Sequence, residues 1–357
     1  MKHSGHGRIN RILVFRAGTV GDTIVALPAF HALRKAFPQA TLSLITATSG
    51  GRLWTDEVLK GSGIFEDSIT YTSDELRQVS GVLRLLRKVR SRRADLLIYL
   101  PSDRNCLLRI WRDRLFFRVA GIRRFQYTAS KKVRWWGAFR RKNHIYPYEV
   151  DRLVAPIWNL IERRTGLDFH LPIAHDAEQK ADRVLQQFGT SGLRVVALCP
   201  GATVSAKRWP ADSYAKLGEK LIREASANVA LIGAQEERQI SESITSGWPQ
   251  GRWLNLAGQL SLLESAALLK RCTVYVGNDT GAMHLAAAVG TRCLAVFGAR
   301  AHERSWHPYG PNHIVIRKQV ACANCYLSEC LKHKLKCLTE ISVEEVWASC
   351  ERMLTFD

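Results

Sequence analysis

The stretch from Val274 to Ala288 constrains the fold more than any other part of this 357-residue chain. It reads Val274-Tyr-Val-Gly277-Asn-Asp279-Thr280-Gly281-Ala-Met-His284-Leu-Ala-Ala-Ala288. Apolar, β-prone residues lead into Gly277, a polar turn follows, and an alanine-rich segment starts a helix. Strand, tight turn and helix N-terminus in that order bind anions, because the first helical turn carries unpaired N–H groups and partial positive charge. Gly281 and Ala282 let a phosphate approach the backbone closely. Asp279 or Thr280 can cap the helix, and His284 comes one turn later, where it could face the same ligand. A capped, buried helix of any α/β domain would read the same way, so the rest of the chain decides.

Arg11–Arg16 is apolar without strict alternation, as in a strand covered on both faces. Ala17-Gly-Thr-Val-Gly21-Asp22 follows it, then a predicted helix from Thr23 to Phe37 closed by Pro38, then a strand over Thr41–Thr46. Asp95–Leu100 reads as a further strand and Asp151–Thr165 as a helix. After a break near Asp168–His175 the pattern restarts, with strands predicted at 194–198, 228–232, 273–276 and 293–297 and helices at 177–188, 213–225 and 262–270. Alternating strands and helices imply parallel sheets covered on both sides, and the length suits two domains. The expected fold is α/β: two Rossmann-like, doubly wound parallel-sheet domains facing across a cleft. They would span residues 1–172 and 173–340, with 341–357 forming a C-terminal helix that packs back on the first domain. Ligands then bind at the carboxyl ends of the strands.

Composition narrows the class. The hydrophobic content of 46 % supports a full core, and no apolar run approaches the ~18 residues of a membrane span. Met1–Asn10 is polar and lacks the apolar core of a secretory signal, which points to the cytoplasm. The net charge of +20 is uneven: residues 81–143 hold 19 Lys and Arg against Asp95, Asp103 and Asp113. Trp111, Phe116, Phe117, Trp135, Trp136 and Phe139 are interleaved with them. Such a surface suits an anionic membrane face, an acidic glycan or lipid, or nucleic acid. On a membrane face, Arg84, Arg87, Arg92, Lys131, Lys132 and Arg134 would carry the attraction.

Single residues gain meaning from position. Asp22 closes the first strand, where it serves as a helix cap or as a general base. The turn there lacks the G-x-G-x-x-G of a dinucleotide site, offering only Gly18 and Gly21. Thr203 and Lys207 lie on the loop Pro200–Pro210, where a hydroxyl and a compact charge suit a diphosphate and a solvated loop is the plainer alternative. Glu236 and Glu237 follow Gly233, a place where an acid can bind ribose. Cys322-x2-Cys325-x4-Cys330-x6-Cys337, with His333 nearby, either encloses a structural zinc or iron or carries free thiols. The other five of the nine cysteines read as small core residues.

Taken together, several motifs resemble glycosyltransferase family nine, the lipopolysaccharide heptosyltransferases and their relatives of GT-B fold. They are Arg16-Ala-Gly-Thr-Val-Gly21-Asp22 with Ala26-Leu-Pro28-Ala29 and Leu33-Arg-Lys35, Gly201 with Lys207-Arg-Trp209-Pro210, Asn255-Leu-Ala-Gly258, and Gly277 through Ala288. The likeness is strong in the second half and the first 40 residues and weak between Ser49 and Asp151. It implies an inverting transfer of a sugar, heptose from ADP-heptose by preference, onto a lipopolysaccharide core or related cell-envelope glycan. Asp22 would be the catalytic base; Thr203, Lys207, Glu236, Glu237, Asp279, Thr280, Gly281 and His284 would hold the donor. Arg16, Gly21, Asp103 and Arg104 would lie by the acceptor, an anionic glycolipid or polysaccharide. No cofactor is required for catalysis, and no Asp-x-Asp metal motif occurs. The enzyme would be cytoplasmic, touching the anionic inner membrane face peripherally, with no nucleic acid partner. Two alternatives stay open: another nucleotide sugar used for capsule or O-antigen polysaccharide, and a basic, metal-containing nucleic-acid-binding protein.

Overall fold

Ile12, Leu13 and Val14 are fully buried in the first strand, which is why the sequence there is a continuous apolar run. The computed structural model describes residues 9–48, 54–101, 107–127, 148–160, 167–189 and 194–355. Asp103, Arg104 and part of the basic segment, with Lys131, Lys132, Arg134, Trp135, Trp136 and Phe139, lie outside the described residues. The described residues divide into two compact units between Phe169 and His170, with Tyr148 belonging to the second.

The first unit runs β1 (Arg11–Phe15), α1 (Val20–Ile24), α2 (Leu27–Ala36), β2 (Thr41–Ala47), α3 (Trp54–Leu59), β3 (Asp67–Tyr71), α4 (Val79–Ser91), β4 (Leu96–Tyr99), α5 (Leu107–Val119), β5 (Arg124–Tyr127) and α6 (Glu149–Val154). Its sheet is parallel in the order β3-β2-β1-β4-β5. The chain leaves β1 to one side and crosses to β4 on the other, so the crevice between β1 and β4 is the switch point. Leu13, Ile45, Leu97, Val89 and Phe117 share its core, with Phe15 stacked on Tyr99 at 4.7 Å.

Two predicted helices are corrected here. The helix expected over Thr23–Phe37 is two: Thr19 starts α1 with Asp22 completing its capping box, and Pro28 sits in the first turn of α2. Proline has no N–H to give to a preceding turn, so it opens a helix more readily than it continues one. The helix expected over Asp151–Thr165 starts at Glu149 and ends at Val154, just before Pro156, and residues 161–165 of that expectation lie outside the described residues.

The second unit runs α7 (His175–Leu185), β6 (Val195–Cys199), α8 (Ala211–Arg223), β7 (Asn228–Leu231), α9 (Arg238–Ile244), β8 (Trp253–Asn255), α10 (Leu262–Arg271), β9 (Val274–Asn278), α11 (Gly281–Ala288), β10 (Arg292–Phe297), β11 (Ile314–Arg317), α12 (Lys336–Thr339) and α13 (Val343–Thr355). All six strands are parallel, in the order β11-β10-β9-β6-β7-β8, with the switch point between β6 and β9. The chain is thus an α/β protein of two doubly wound parallel sheets.

The final helix was expected to return to the first domain. Instead Val343, Val346, Cys350, Met353 and Leu354, spaced along one face of α13, are buried in the second unit's core with Leu217, Val276 and Val296. Among the described residues no helix is long and apolar enough to cross a membrane.

Candidate functional site

Each sheet carries polar machinery at the carboxyl end of its switch-point strands. In the first unit Arg16 follows β1 and is fully buried. Its Nε donates to the Asp22 carbonyl at 2.9 Å and its Nη2 to Asp22 Oδ1 at 3.2 Å. Its Nη1 donates across the β1/β4 crevice to the carbonyls of Leu100 and Pro101 at 3.3 and 3.2 Å. Asp22 Oδ2 accepts the Thr19 N–H at 2.9 Å and the Thr19 hydroxyl at 3.0 Å. Both carboxylate oxygens are therefore anchored, with Oδ1 holding the looser contact, and the side chain stays 17 % exposed.

Gly18 makes that placement fit. Its φ is +155°, and a Cβ there would lie 2.4 Å from Asp22 Cβ and Cγ. Arg16 in turn leans on a second pair. Buried Glu149 lies 3.8 Å from Arg16 Nη1, and Arg152 grips both Glu149 oxygens while donating to the Pro101 carbonyl at 2.6 Å. Burial pulls the Arg16 pKa below its usual value, opposed by the charges of Asp22 and Glu149. Two arginines and two carboxylates thus balance in a low-dielectric place where an unpaired charge would be costly.

Arg16, expected beside the acceptor, directs four of its N–H groups to Asp22, Leu100 and Pro101. Gly21 is buried inside α1. Glu149 and Arg152 were not singled out from the sequence, where the only signal is a Glu-x-x-Arg spacing after a long basic stretch.

In the second unit α11 begins beside the β6 loop. Thr280 is its N-cap, with Gly281 and Ala282 half-buried at its start. Asp279 is 6 % exposed and pairs with Lys207 Nζ at 2.8 Å. Thr203 is exposed on the same loop. Asn278, fully buried, ties the two loops together: its Nδ2 donates to the carbonyls of Pro200 and Gly201 at 2.9 and 3.1 Å, and its Oδ1 accepts the Trp209 N–H at 3.0 Å. Trp209 is buried edge-on to Tyr214 and donates its indole N–H to the Ile341 carbonyl at 3.0 Å. These bonds fix the loop that carries Lys207. Asn278 was passed over in the sequence, although an amide in a turn between two strand ends is a natural clasp.

The two acids after β7 separate clearly. Glu236 is exposed. Glu237 folds back so that its Oε2 accepts the Ala234 N–H at 2.9 Å, and its carboxyl fills the space above Gly201, where a Cβ would lie 2.2 Å from Glu237 Cδ. Burial and the Glu237 charge push the Cys199 thiol beneath it up to about 12, so it stays protonated. His284 is only 2 % exposed, its ring 6.0 Å from Trp306 and edge-on to it. It is therefore enclosed by the unit, one helical turn after Gly281. His307, close enough to Asp279 to feel its charge, is pulled down to about 4 by burial.

Cys322, Cys325, Cys330 and Cys337 line one small cavity with His333 and Lys336. Among the described residues, however, no set of three or more Cys, His, Asp or Glu is placed to hold a metal ion, and the thiols are free. The zinc or iron suggested by their spacing is thus not supported by this geometry. What the segment does is brace the Pro200–Pro210 loop: the Ser328 carbonyl accepts from the Ala206 N–H and the Ser205 hydroxyl, both at 3.1 Å, next to Lys207.

Comparison with known proteins adds three kinds of likeness. The profile of glycosyltransferase family 9 (heptosyltransferase) matches residues 82–336. Lipooligosaccharide heptosyltransferase 2 of Haemophilus influenzae is 42 % identical over 298 residues, covering 80 % of this chain and 83 % of that one. Among solved structures, a family 9 glycosyl transferase from Veillonella parvula superposes with a TM-score of 0.77 at 18 % identity, over 99 % of this chain and 100 % of that one. The ADP-heptose lps heptosyltransferase II of E. coli does so with 0.69 at 22 % identity, over 96 % and 98 %. Both share the fold described above.

Proposed function

Because the chain belongs to glycosyltransferase family 9, the heptosyltransferases, we propose that it transfers heptose from ADP-heptose to a lipopolysaccharide or lipooligosaccharide core. The observation that carries this reading is the Lys207–Asp279 pair at the N-terminus of α11, in a chain 42 % identical to a lipooligosaccharide heptosyltransferase. The nucleotide diphosphate sits at the β6/β9 switch point, its phosphates against the N–H groups of Gly281 and Ala282 and the Lys207 ammonium. Asp279, held by Lys207, faces the sugar hydroxyls, and Glu237 takes the ribose. Thr203 adds a hydroxyl from the loop.

In the reaction the acceptor hydroxyl oxygen attacks the anomeric carbon as the bond from that carbon to the β-phosphate oxygen breaks. The diphosphate leaves with the electron pair, its growing charge met by Lys207 and the helix N-terminus. The hydroxyl proton passes to Asp22, whose Oδ1 is the less tightly engaged oxygen. Attack opposite the leaving group inverts the anomeric centre, as a single-carboxylate mechanism requires. The chain's own cation and backbone groups answer the diphosphate's charge, so no catalytic metal enters this account. Asp103 and Arg104, close in sequence to Pro101, are proposed acceptor contacts.

The test is turnover of ADP-heptose with a heptose-deficient core acceptor, followed by mass spectrometry. Asp22→Asn should lower the rate by about 10²–10⁴-fold and leave ADP affinity within twofold. Failure to use ADP-heptose while another nucleotide sugar is consumed would overturn the donor assignment, and an Asp22→Asn variant of full rate would overturn the base.

A further inference from the structure

Helix α5 exposes an apolar stripe that nothing in the transfer chemistry uses. Leu108 is 81 % exposed, Trp111 66 %, Leu115 64 % and Val119 55 %. At 100° per residue these four fall within about 80° of arc and run about 16 Å along the axis. The opposite face holds Ile110 and Phe117 in the core. Isolated apolar side chains on a surface are ordinary, but four in line over three turns are not.

The flanks of the stripe are cationic. By the same geometry Arg109 and Arg112 border one side and Arg114 and Arg118 the other, all four exposed. The helix's single acid, Asp113, is turned away, accepting from the Tyr99 hydroxyl at 2.6 Å and from Arg112 at 2.7 and 2.9 Å. The Arg114 guanidinium lies over the Trp111 ring, 5.8 Å from its centre. An apolar stripe with arginines on both edges is the pattern of a helix lying in the plane of a bilayer, with side chains among the acyl chains and guanidinium groups at lipid phosphates.

We propose that the Leu108–Val119 face of α5 seats the protein on an anionic phospholipid bilayer. A second copy of the chain would bring like charges together at both edges of the stripe, and a bilayer phosphate surface complements them instead. Placement adds a reason, resting on the acceptor assignment above. The stripe starts seven residues after Pro101, whose carbonyl receives Arg16 and Arg152 at the β4 end of the Asp22 crevice. A lipid-anchored acceptor would present its sugars near Asp22 while its acyl chains stayed in the bilayer beneath α5.

The test is co-sedimentation of the full-length protein with vesicles of phosphatidylcholine containing one-third phosphatidylglycerol, and with phosphatidylcholine alone. The variant replaces Leu108→Asn, Trp111→Asn and Leu115→Asn together; these side chains are exposed, and melting temperature with ADP affinity verifies the fold. Partition onto anionic vesicles should fall at least tenfold in the variant. Transfer to a vesicle-embedded acceptor should fall with it, and transfer to a delipidated, water-soluble core oligosaccharide should not. Equal partition of variant and wild type overturns the proposal, as does absence of wild-type binding to anionic vesicles. A dimeric wild type that becomes monomeric in the variant, with vesicle binding unchanged, assigns the face to self-association and also overturns it. If wild type binds vesicles through this face but transfers to neither acceptor, the acceptor assignment fails and the membrane seat stands.

Discussion

Replacing Lys207 by methionine isolates the electrostatics of the proposed donor site. The ammonium is 2.8 Å from Asp279 Oδ2, with the two side chains 22 % and 7 % exposed. Lys207→Met keeps the stem's bulk and removes two favourable effects at once. The diphosphate loses a cation, and it also meets the Asp279 carboxylate without a neutralising partner. A unit-charge pair about 5 Å apart at an effective dielectric of ~20 is worth about 3 kcal/mol. Water reaching the partly exposed Lys207 site reduces the sum of both effects to roughly 2–3 kcal/mol. ADP should therefore bind about 30–150-fold more weakly, and AMP, with less charge near the site, should lose much less. Calorimetric titration of ADP and AMP into wild type, Lys207→Met, Asp279→Asn and the double variant measures this. Adding Asp279→Asn to Lys207→Met removes the repulsion and should restore about half of the lost binding energy. Raising the salt concentration should shrink the differences. If Lys207→Met binds ADP within threefold of wild type, or the double variant binds no better than Lys207→Met, the pair does not hold the diphosphate.

Three further outcomes follow from the geometry. Gly18→Ala puts a Cβ against Asp22 and strains a positive φ, so the transfer rate should fall about 10²-fold at unchanged ADP affinity; a normal rate would mean that the carboxylate's place is immaterial. His307, held down to about 4 by burial, folds in its neutral form while the unfolded chain takes up a proton near pH 6.5. Its contribution, roughly 2–3 kcal/mol, is complete above that pH and is lost as the pH falls toward 4; urea unfolding at pH 7 and pH 5 should show a shallower loss in His307→Gln than in wild type, and equal losses would refute the assignment. Chelation of divalent cations should leave ADP affinity and transfer rate unchanged, and a large loss in EDTA restored by one metal would show that Lys207 and α11 do not carry the diphosphate alone.

Features set by local chemistry could be read from the chain, and features set by distant partners could not. The alternation of apolar strands with helices, and the Gly277–Ala288 turn, depend on neighbours a few residues apart, so both sheets and the α11 N-terminus were legible. So were the places of Asp22, Lys207 and Asp279 in the segments that follow β1, β6 and β9. The different settings of Glu236 and Glu237 were not, because they depend on the space over Gly201, on the loop after another strand. The four cysteines were close in sequence, yet no three of them are placed to hold a metal ion, and spacing alone carries no information on Sγ positions. Arg16 is the most instructive case. An arginine ending an apolar strand reads as a group emerging into solvent toward a ligand. What buries it is a carboxylate 133 positions later, Glu149, itself neutralised by Arg152, and no local pattern announces that pair. Once buried, the guanidinium has its directions fixed by two carbonyls beyond β4's end and by Asp22. Its neighbours in α5 show the converse: Trp111 and Phe117 look alike in a basic, aromatic segment, and only the packed helix separates the ring in the core from the ring left in water. Burial is a property of the assembled sheet and helices, so the division of labour between groups that touch substrate and groups that aim them is decided at that level.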